Sequence, residues 1–85
     1  MEWKLYILEC SDGTLYTGIT DDIGRRVTAH NLGRGAKYTR GRVPVVLRYV
    51  EDCADRSAAL RREYSIKQLS RNEKLQLCNL WSEGK

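Results

Sequence analysis

One residue asks more of this chain than its neighbours do. On a helix drawn over residues 55–69, at about 100° per residue, Glu63 falls between Leu60 and Ile66 with Ala59 one turn before it. A carboxylate on an apolar stripe is costly unless it is paired or holds a metal. Lys67, four residues on, offers an i,i+4 ion pair. The alternative is a divalent cation, because Mg²⁺ binds through one or two carboxylates and fills its shell with water and substrate phosphate. Arg26 and His30 are also four apart, so one helix face carries a permanent cation beside a titratable imidazole. That pair can serve charge stabilisation and proton transfer, or the histidine can be an ordinary capping or half-buried side chain.

Two tyrosines join them through the register of a hairpin. Trp3 to Leu8 reads as a strand, Ser11-Asp12-Gly13 as a three-residue turn with Gly13 at positive φ, and Thr14 to Thr20 as the returning strand. This register pairs Cys10 with Thr14, Leu8 with Tyr16 and Tyr6 with Gly18, so Tyr6 and Tyr16 share a face. Gly18 then leaves space in front of the Tyr6 ring, where a ligand could sit.

Three further elements must hold these groups in place. Thr20-Asp21-Asp22 supplies capping side chains for a helix over 22–32, which Gly33 and Gly35 stop. Pro44 to Val50 reads as a third strand beside the hairpin. Asp52 or Asp55 can cap the 55–69 helix, and Ser70 with Glu73 forms a capping box that breaks it and starts another helix through Leu75, Cys78 and Trp81. The order is β-β-α-β-α-α in one small α+β domain of 85 residues, a three-stranded antiparallel sheet packed against helices.

The net charge of +4 conceals a strong asymmetry. Between Ile23 and Val50 lie seven basic residues (Arg25, Arg26, Arg34, Lys37, Arg40, Arg42, Arg48) and no Asp or Glu. Most fall on the first helix and the loop Gly33 to Arg42, where glycines let backbone N–H groups approach phosphate and arginines bind it bidentately. Arg25, Arg34, Lys37, Tyr38, Thr39, Arg40 and Arg42 are therefore the expected nucleic-acid contacts; an ordinary solvated loop is the alternative.

Taken together, these residues resemble the GIY-YIG endonucleases, most closely the short YhbQ-like (URI-type) bacterial members. Lys4-Leu5-Tyr6 and Tyr16-Thr17-Gly18 match the two triplets, Arg26 stands ten residues after the second Tyr, and His30 follows four later. Glu63, in Arg61-Arg62-Glu63-Tyr64-Ser65-Ile66-Lys67, matches the metal-ligating Glu of a later helix. The similarity extends over Gly35 to Thr39 and Arg42-Val43-Pro44. It departs at Thr17, where the family name has Ile, and at Leu75, where several members carry an Asn that only Asn72 or Asn79 could replace.

The resemblance implies a divalent-metal-dependent endonuclease acting on DNA, single-stranded or structured, with Mg²⁺ or substitute Mn²⁺ on Glu63. Tyr6 would deprotonate the attacking water, Arg26 would stabilise the phosphorane, and Tyr16 and His30 would orient groups or relay the proton. RNA as substrate, or a binding module without catalysis, are the competing readings. Cys10, Cys53 and Cys78 are an odd set without metal-ligand spacing, so reduced thiols and no disulfide-linked partner are expected. No apolar run reaches the ~18–20 residues that span a bilayer and no signal-peptide core opens the chain, so a cytoplasmic protein without membrane contact is expected.

Overall fold

The computed structural model describes residues 2–84. Strands β1 (Trp3–Glu9) and β2 (Leu15–Thr20) are followed by helix α1 (Ile23–Asn31), a 3₁₀ turn (Lys37–Thr39), strand β3 (Val46–Cys53) and helices α2 (Arg56–Lys67) and α3 (Arg71–Glu83). The sheet is antiparallel in the order β2-β1-β3, the α+β architecture expected from the sequence.

Strand β1 is flanked by β2 and β3 and covered by helices on both faces, which is why Leu5, Tyr6, Ile7 and Leu8 are all buried. Leu5 and Ile7 pack on one face with Ile66 of α2 and Cys78 of α3. Tyr6 and Leu8 pack on the other with Val45 and with Ile23 and Val27 of α1. Burying a Leu or Ile side chain stabilises by about 1.5–3 kcal/mol, so this strand anchors both layers at once.

The three-residue hairpin turn is present. Cys10 N donates to Thr14 O at 2.8 Å, Gly13 adopts φ 84°, and the Asp12 carboxylate accepts from Thr14 N and Thr14 Oγ1. Tyr6 lies opposite Gly18 and Leu8 opposite Tyr16, in the expected register.

Asp22 caps α1 through Arg25 N, Asp55 caps α2 through Ala58 N, and Ser70 with Glu73 makes the full capping box of α3. The third strand begins two residues later than expected and runs on to Cys53, because Glu51, Asp52 and Cys53 pair with Leu5, Lys4 and Trp3 while Pro44 and Val45 stay outside the ladder. Arg48 has no opposite residue in β1, a bulge at which its guanidinium pairs with Glu9.

On α2 the apolar stripe is narrower than the sequence implied. Ala59 and Ile66 are buried, whereas Leu60 and Tyr64 are exposed, since the helix meets the sheet along a single row of side chains.

Candidate active site

Tyr6 brings the site together. Its ring lies over Gly18, where an added Cβ would come within 2.6 Å of the hydroxyl and 3.0 Å of the Tyr16 ring. The space that Gly18 leaves is thus filled by the tyrosine itself; it is a seat for the phenol rather than the empty ligand pocket expected from the sequence. From there the Tyr6 hydroxyl reaches His30 Nε2 at 3.0 Å, and Arg26 Nε approaches the same oxygen at 3.4 Å. The Tyr16 ring stands 6.3 Å from the Tyr6 ring and 5.2 Å from the His30 ring, centroid to centroid.

His30 is held on its other side by Thr39. The Thr39 hydroxyl stands 3.0 Å from Ala36 O and 2.7 Å from His30 Nδ1; with its one proton directed to Ala36 O, the carbonyl that can only accept, it takes the acceptor role toward Nδ1. Nδ1 therefore carries the imidazole proton, and Nε2 of the neutral ring accepts from Tyr6 O–H. Gly35 packs flat against this ring, where any Cβ would overlap the imidazole. Burial, aided by the nearby Arg26 charge, lowers the His30 pKa below 6.5, which keeps the ring neutral near pH 7. Burial likewise raises the Tyr6 pKa above 10 and outweighs the opposing hydrogen bond from Arg26. The resting pair is a neutral phenol facing a neutral imidazole.

Glu63 comes from the opposite layer. It lies between Ala59 and Ile66 on the inward row of α2, its side chain 20% exposed, with Lys67 Nζ at 3.4 Å. The i,i+4 pair weighed from the sequence is formed. The carboxylate is close enough that its charge contributes to the upward shift of Tyr6.

Among the described residues no group of three or more His, Cys, Asp or Glu gathers at one point. A lone carboxylate matches the donor needs of Mg²⁺ or Mn²⁺, which leave most of their shell to water and phosphate, and not those of zinc, which needs three or four protein ligands; an ion at Glu63 would have to displace the Lys67 ammonium that now pairs with it. Glu63 is the residue that would hold such an ion. Asn72 and Asn79, the candidates to replace the Asn that Leu75 displaces, are both exposed on α3.

The expected nucleic-acid contacts divide into two groups. Arg25, Arg34, Lys37 and Arg40 are exposed, and Tyr38 is 43% exposed. Thr39 is wholly buried under His30, where it orients the imidazole and cannot meet a phosphate. Arg42 is already engaged: Nε binds Asp12 at 2.9 Å, Nη1 binds Tyr38 O at 2.9 Å, and the guanidinium stacks 4.2 Å over the Tyr38 ring. Together with the bond from Ser11 N to Arg42 O, it ties the basic loop to the hairpin turn.

Two supports went unnoticed in the sequence. The Gly35 contact is one. The other is the Asn31 side chain, which bonds Val45 N at 2.7 Å and Val45 O at 3.3 Å and fixes the end of α1 to the start of β3.

Comparison with known proteins supplies the lineage. The chain is 63% identical over 70 residues to a UPF0213 protein of Halobacterium salinarum, covering 82% of this chain and 91% of that one. It is 55% identical to one from Desulfotalea psychrophila, covering 96% and 76%. Among solved structures, the solution NMR structure of the UPF0213 protein BH0048 from Bacillus halodurans is 49% identical with a TM-score of 0.59, over 94% of this chain and 85% of that one. The solution NMR structure of the protein EF2693 from E. faecalis is 38% identical with a TM-score of 0.64, over 96% and 88%. The family model described as the GIY-YIG catalytic domain matches residues 2–76, a span containing Tyr6, Tyr16, Arg26, His30 and Glu63, and the chain therefore belongs to the GIY-YIG family of the nuclease superfamily, beside the short UPF0213 proteins.

Proposed function

We propose that this chain is a divalent-metal-dependent endonuclease that hydrolyses phosphodiester bonds in DNA, with single-stranded or structured DNA as the preferred form. The observation that carries the reading is the hydrogen-bonded row Tyr6, His30, Thr39, Ala36 with Arg26 set against its first oxygen. A core stabilised by packing alone has no need of a buried imidazole whose acceptor nitrogen faces a phenol.

The row works as a proton path. Tyr6 takes a proton from the attacking water while its own proton passes to His30 Nε2, so no free phenolate is required. His30 becomes an imidazolium whose Nδ1–H stays bonded to Thr39, and the neighbouring Arg26 charge favours returning the proton once the bond is cut. Arg26 adds fixed positive charge where the phosphorane develops. Tyr16, in ring contact with both partners, limits how far either can turn. Mg²⁺ or Mn²⁺ on Glu63 would polarise the scissile phosphate and stabilise the leaving oxygen.

A second reading, nucleic-acid binding without catalysis, draws on one observation: Tyr6 and His30 are wholly closed to solvent. For the nuclease, substrate must shift the partly exposed Arg26 and Tyr16 that flank them. A panel of single-stranded, duplex, flap and branched DNA together with RNA, incubated with Mg²⁺, Mn²⁺ or EDTA, separates the two readings. Metal-supported cutting that is lost in Glu63→Gln supports the nuclease; binding of DNA with no cutting of any member supports the module.

A further inference from the structure

Along the open edge of β2, a groove runs from Tyr16 and Tyr38 on the α1 side of the sheet to residues of α2 and α3 on the other side. One stretch, about 340 Å³, is lined by Leu15, Tyr16, Thr17, Tyr38, Lys67 and Lys74. A second, about 190 Å³, continues from Leu15, Tyr38 and Lys74 to Thr14 and Arg71. The groove therefore starts at Tyr16 and at the Lys67 partner of Glu63, and it leaves the candidate active site along three cations.

We propose that this groove binds the single strand of nucleic acid flanking the scissile phosphate, with Lys74 and Arg71 meeting successive phosphates and Tyr38 receiving a base. The inference deepens the nuclease reading and rests on it for the class of ligand.

Three observations converge on it. First, Glu73, the acid nearest in sequence to both outer cations, is committed to Ser70 N in the capping box, so Arg71 and Lys74 are left without an acidic partner among the described residues. Second, Tyr38 closes a row of rings, 5.8 Å from Tyr16 and stacked under Arg42, that borders both stretches of the groove. Cations tracking a backbone beside an aromatic platform are what single strands require of a protein surface. Third, Thr17 is 4% exposed, lies in the groove wall, and its hydroxyl lacks a hydrogen-bond partner among the described residues. Among the described residues it is the one buried side-chain oxygen or nitrogen so left, and because that oxygen is itself closed to solvent, a polar ligand would supply its missing bond only where the groove wall yields.

The test is fluorescence anisotropy of a labelled oligothymidylate with EDTA present, titrated at several salt concentrations. For Arg71→Gln/Lys74→Gln the slope of log K against log [salt] should flatten by about 1.4, at about 0.7 per lost phosphate contact. Tyr38→Leu should weaken binding with the slope unchanged, because stacking releases no counterion. Arg61→Gln, which removes a cation on the outer side of α2, should behave as the parent, and Arg71→Lys/Lys74→Arg should restore the parental slope. Circular dichroism confirms that each variant is folded.

A parental slope and affinity in the double Gln variant overturns the groove, as does an oligothymidylate that the parent does not bind. The nuclease reading stands or falls separately, on metal-supported cutting by the parent: a protein that binds through Arg71 and Lys74 but never cuts keeps the groove and loses the enzyme.

Discussion

The Tyr6 hydroxyl and His30 Nε2 meet at 3.0 Å where neither side chain touches solvent, and a third residue, Thr39, holds the other ring nitrogen at 2.7 Å. This relationship makes a prediction about pH. His30 has a folded pKa below its unfolded value of 6.5, so the unfolded chain takes up the proton first as pH falls. The stability it contributes is complete above about 6.5 and is lost as pH drops from there toward the lower folded value. Urea titrations of the parent and of His30→Gln, run across this range, should show a loss in the parent that the variant lacks. The acid limb of cleavage should likewise lie below 6.5, because Nε2 must be free to accept.

Removing single groups from the row should separate chemistry from binding. Tyr6→Phe deletes the oxygen that receives the water proton and should reduce cleavage at least a hundredfold, the lower end of what positioned acid-base groups contribute, while oligonucleotide affinity changes little. Arg26→Ala should lower turnover by a similar or larger factor, since it removes charge from the developing phosphorane. Glu63→Gln should abolish metal-supported cutting and leave Lys67 without its partner, a change on the half-exposed surface that costs less than about 1 kcal/mol in stability. Single-turnover rates and thermal melts on each variant check all three.

Thr39→Val should act through His30. It leaves the volume nearly unchanged but removes the acceptor for Nδ1–H, so the buried ring loses its fixed orientation and tautomer. Cleavage should fall with little change in oligonucleotide affinity, and the imidazole ¹⁵N shifts should report the altered tautomer. Thr39→Ser, which keeps the hydroxyl, should retain both.

Much of this was legible in the amino-acid order, and what was not has a common cause. Gly13 and the spacing of Tyr6, Tyr16 and Gly18 determine the hairpin register locally, and Asp22, Asp55 and Ser70 mark helix starts within one turn, so these features need no distant partner. Charge is different, because linear neighbours are not spatial ones. The acid-free segment from Ile23 to Val50 looks uncompensated, yet Arg48 meets Glu9 of β1 and Arg42 meets Asp12 of the hairpin turn. Conversely, Lys67, Arg71 and Lys74 come from the acid-rich remainder of the chain, and only the packing of α2 and α3 against β2 and β3 gathers them beside Tyr38. Thr39 was placed among the phosphate contacts because it sits in a basic loop, whereas the 3₁₀ turn points it inward at His30. Gly33 is the helix stop read from the sequence, at φ +75° just past the end of α1, but Gly35 was read as a second stop for the same reason: the ring that makes it necessary is five residues back in sequence and visible only once the loop folds over it.

The basic loop should therefore respond unevenly to substitution. Arg34→Ala/Arg40→Ala removes two exposed cations and should flatten the salt dependence of DNA binding by about 1.4, at about 0.7 for each single-strand contact. Arg42→Ala should leave that slope closer to the parent's and instead loosen the loop, since it cuts the ties to Asp12 and Tyr38. Faster amide exchange over residues 36–42 is the signature to measure.

Glycine 35 gives the sharpest test of how the loop and the site depend on each other. Gly35→Ala places a methyl group inside the volume of the His30 imidazole, and the ring cannot retreat without breaking its bonds to both Thr39 and Tyr6. Either the loop lifts or the ring turns, and overpacking of this kind costs about 1–3 kcal/mol. Gly33→Ala is the useful contrast: its Cβ meets nothing within 4 Å, so its penalty comes only from φ +75°. Both variants should be less stable in urea, but only Gly35→Ala should displace the His30 ring resonances and lower cleavage beyond what its loss of stability explains. Equal effects of the two substitutions on the His30 resonances would show that the ring does not rely on the loop for its position.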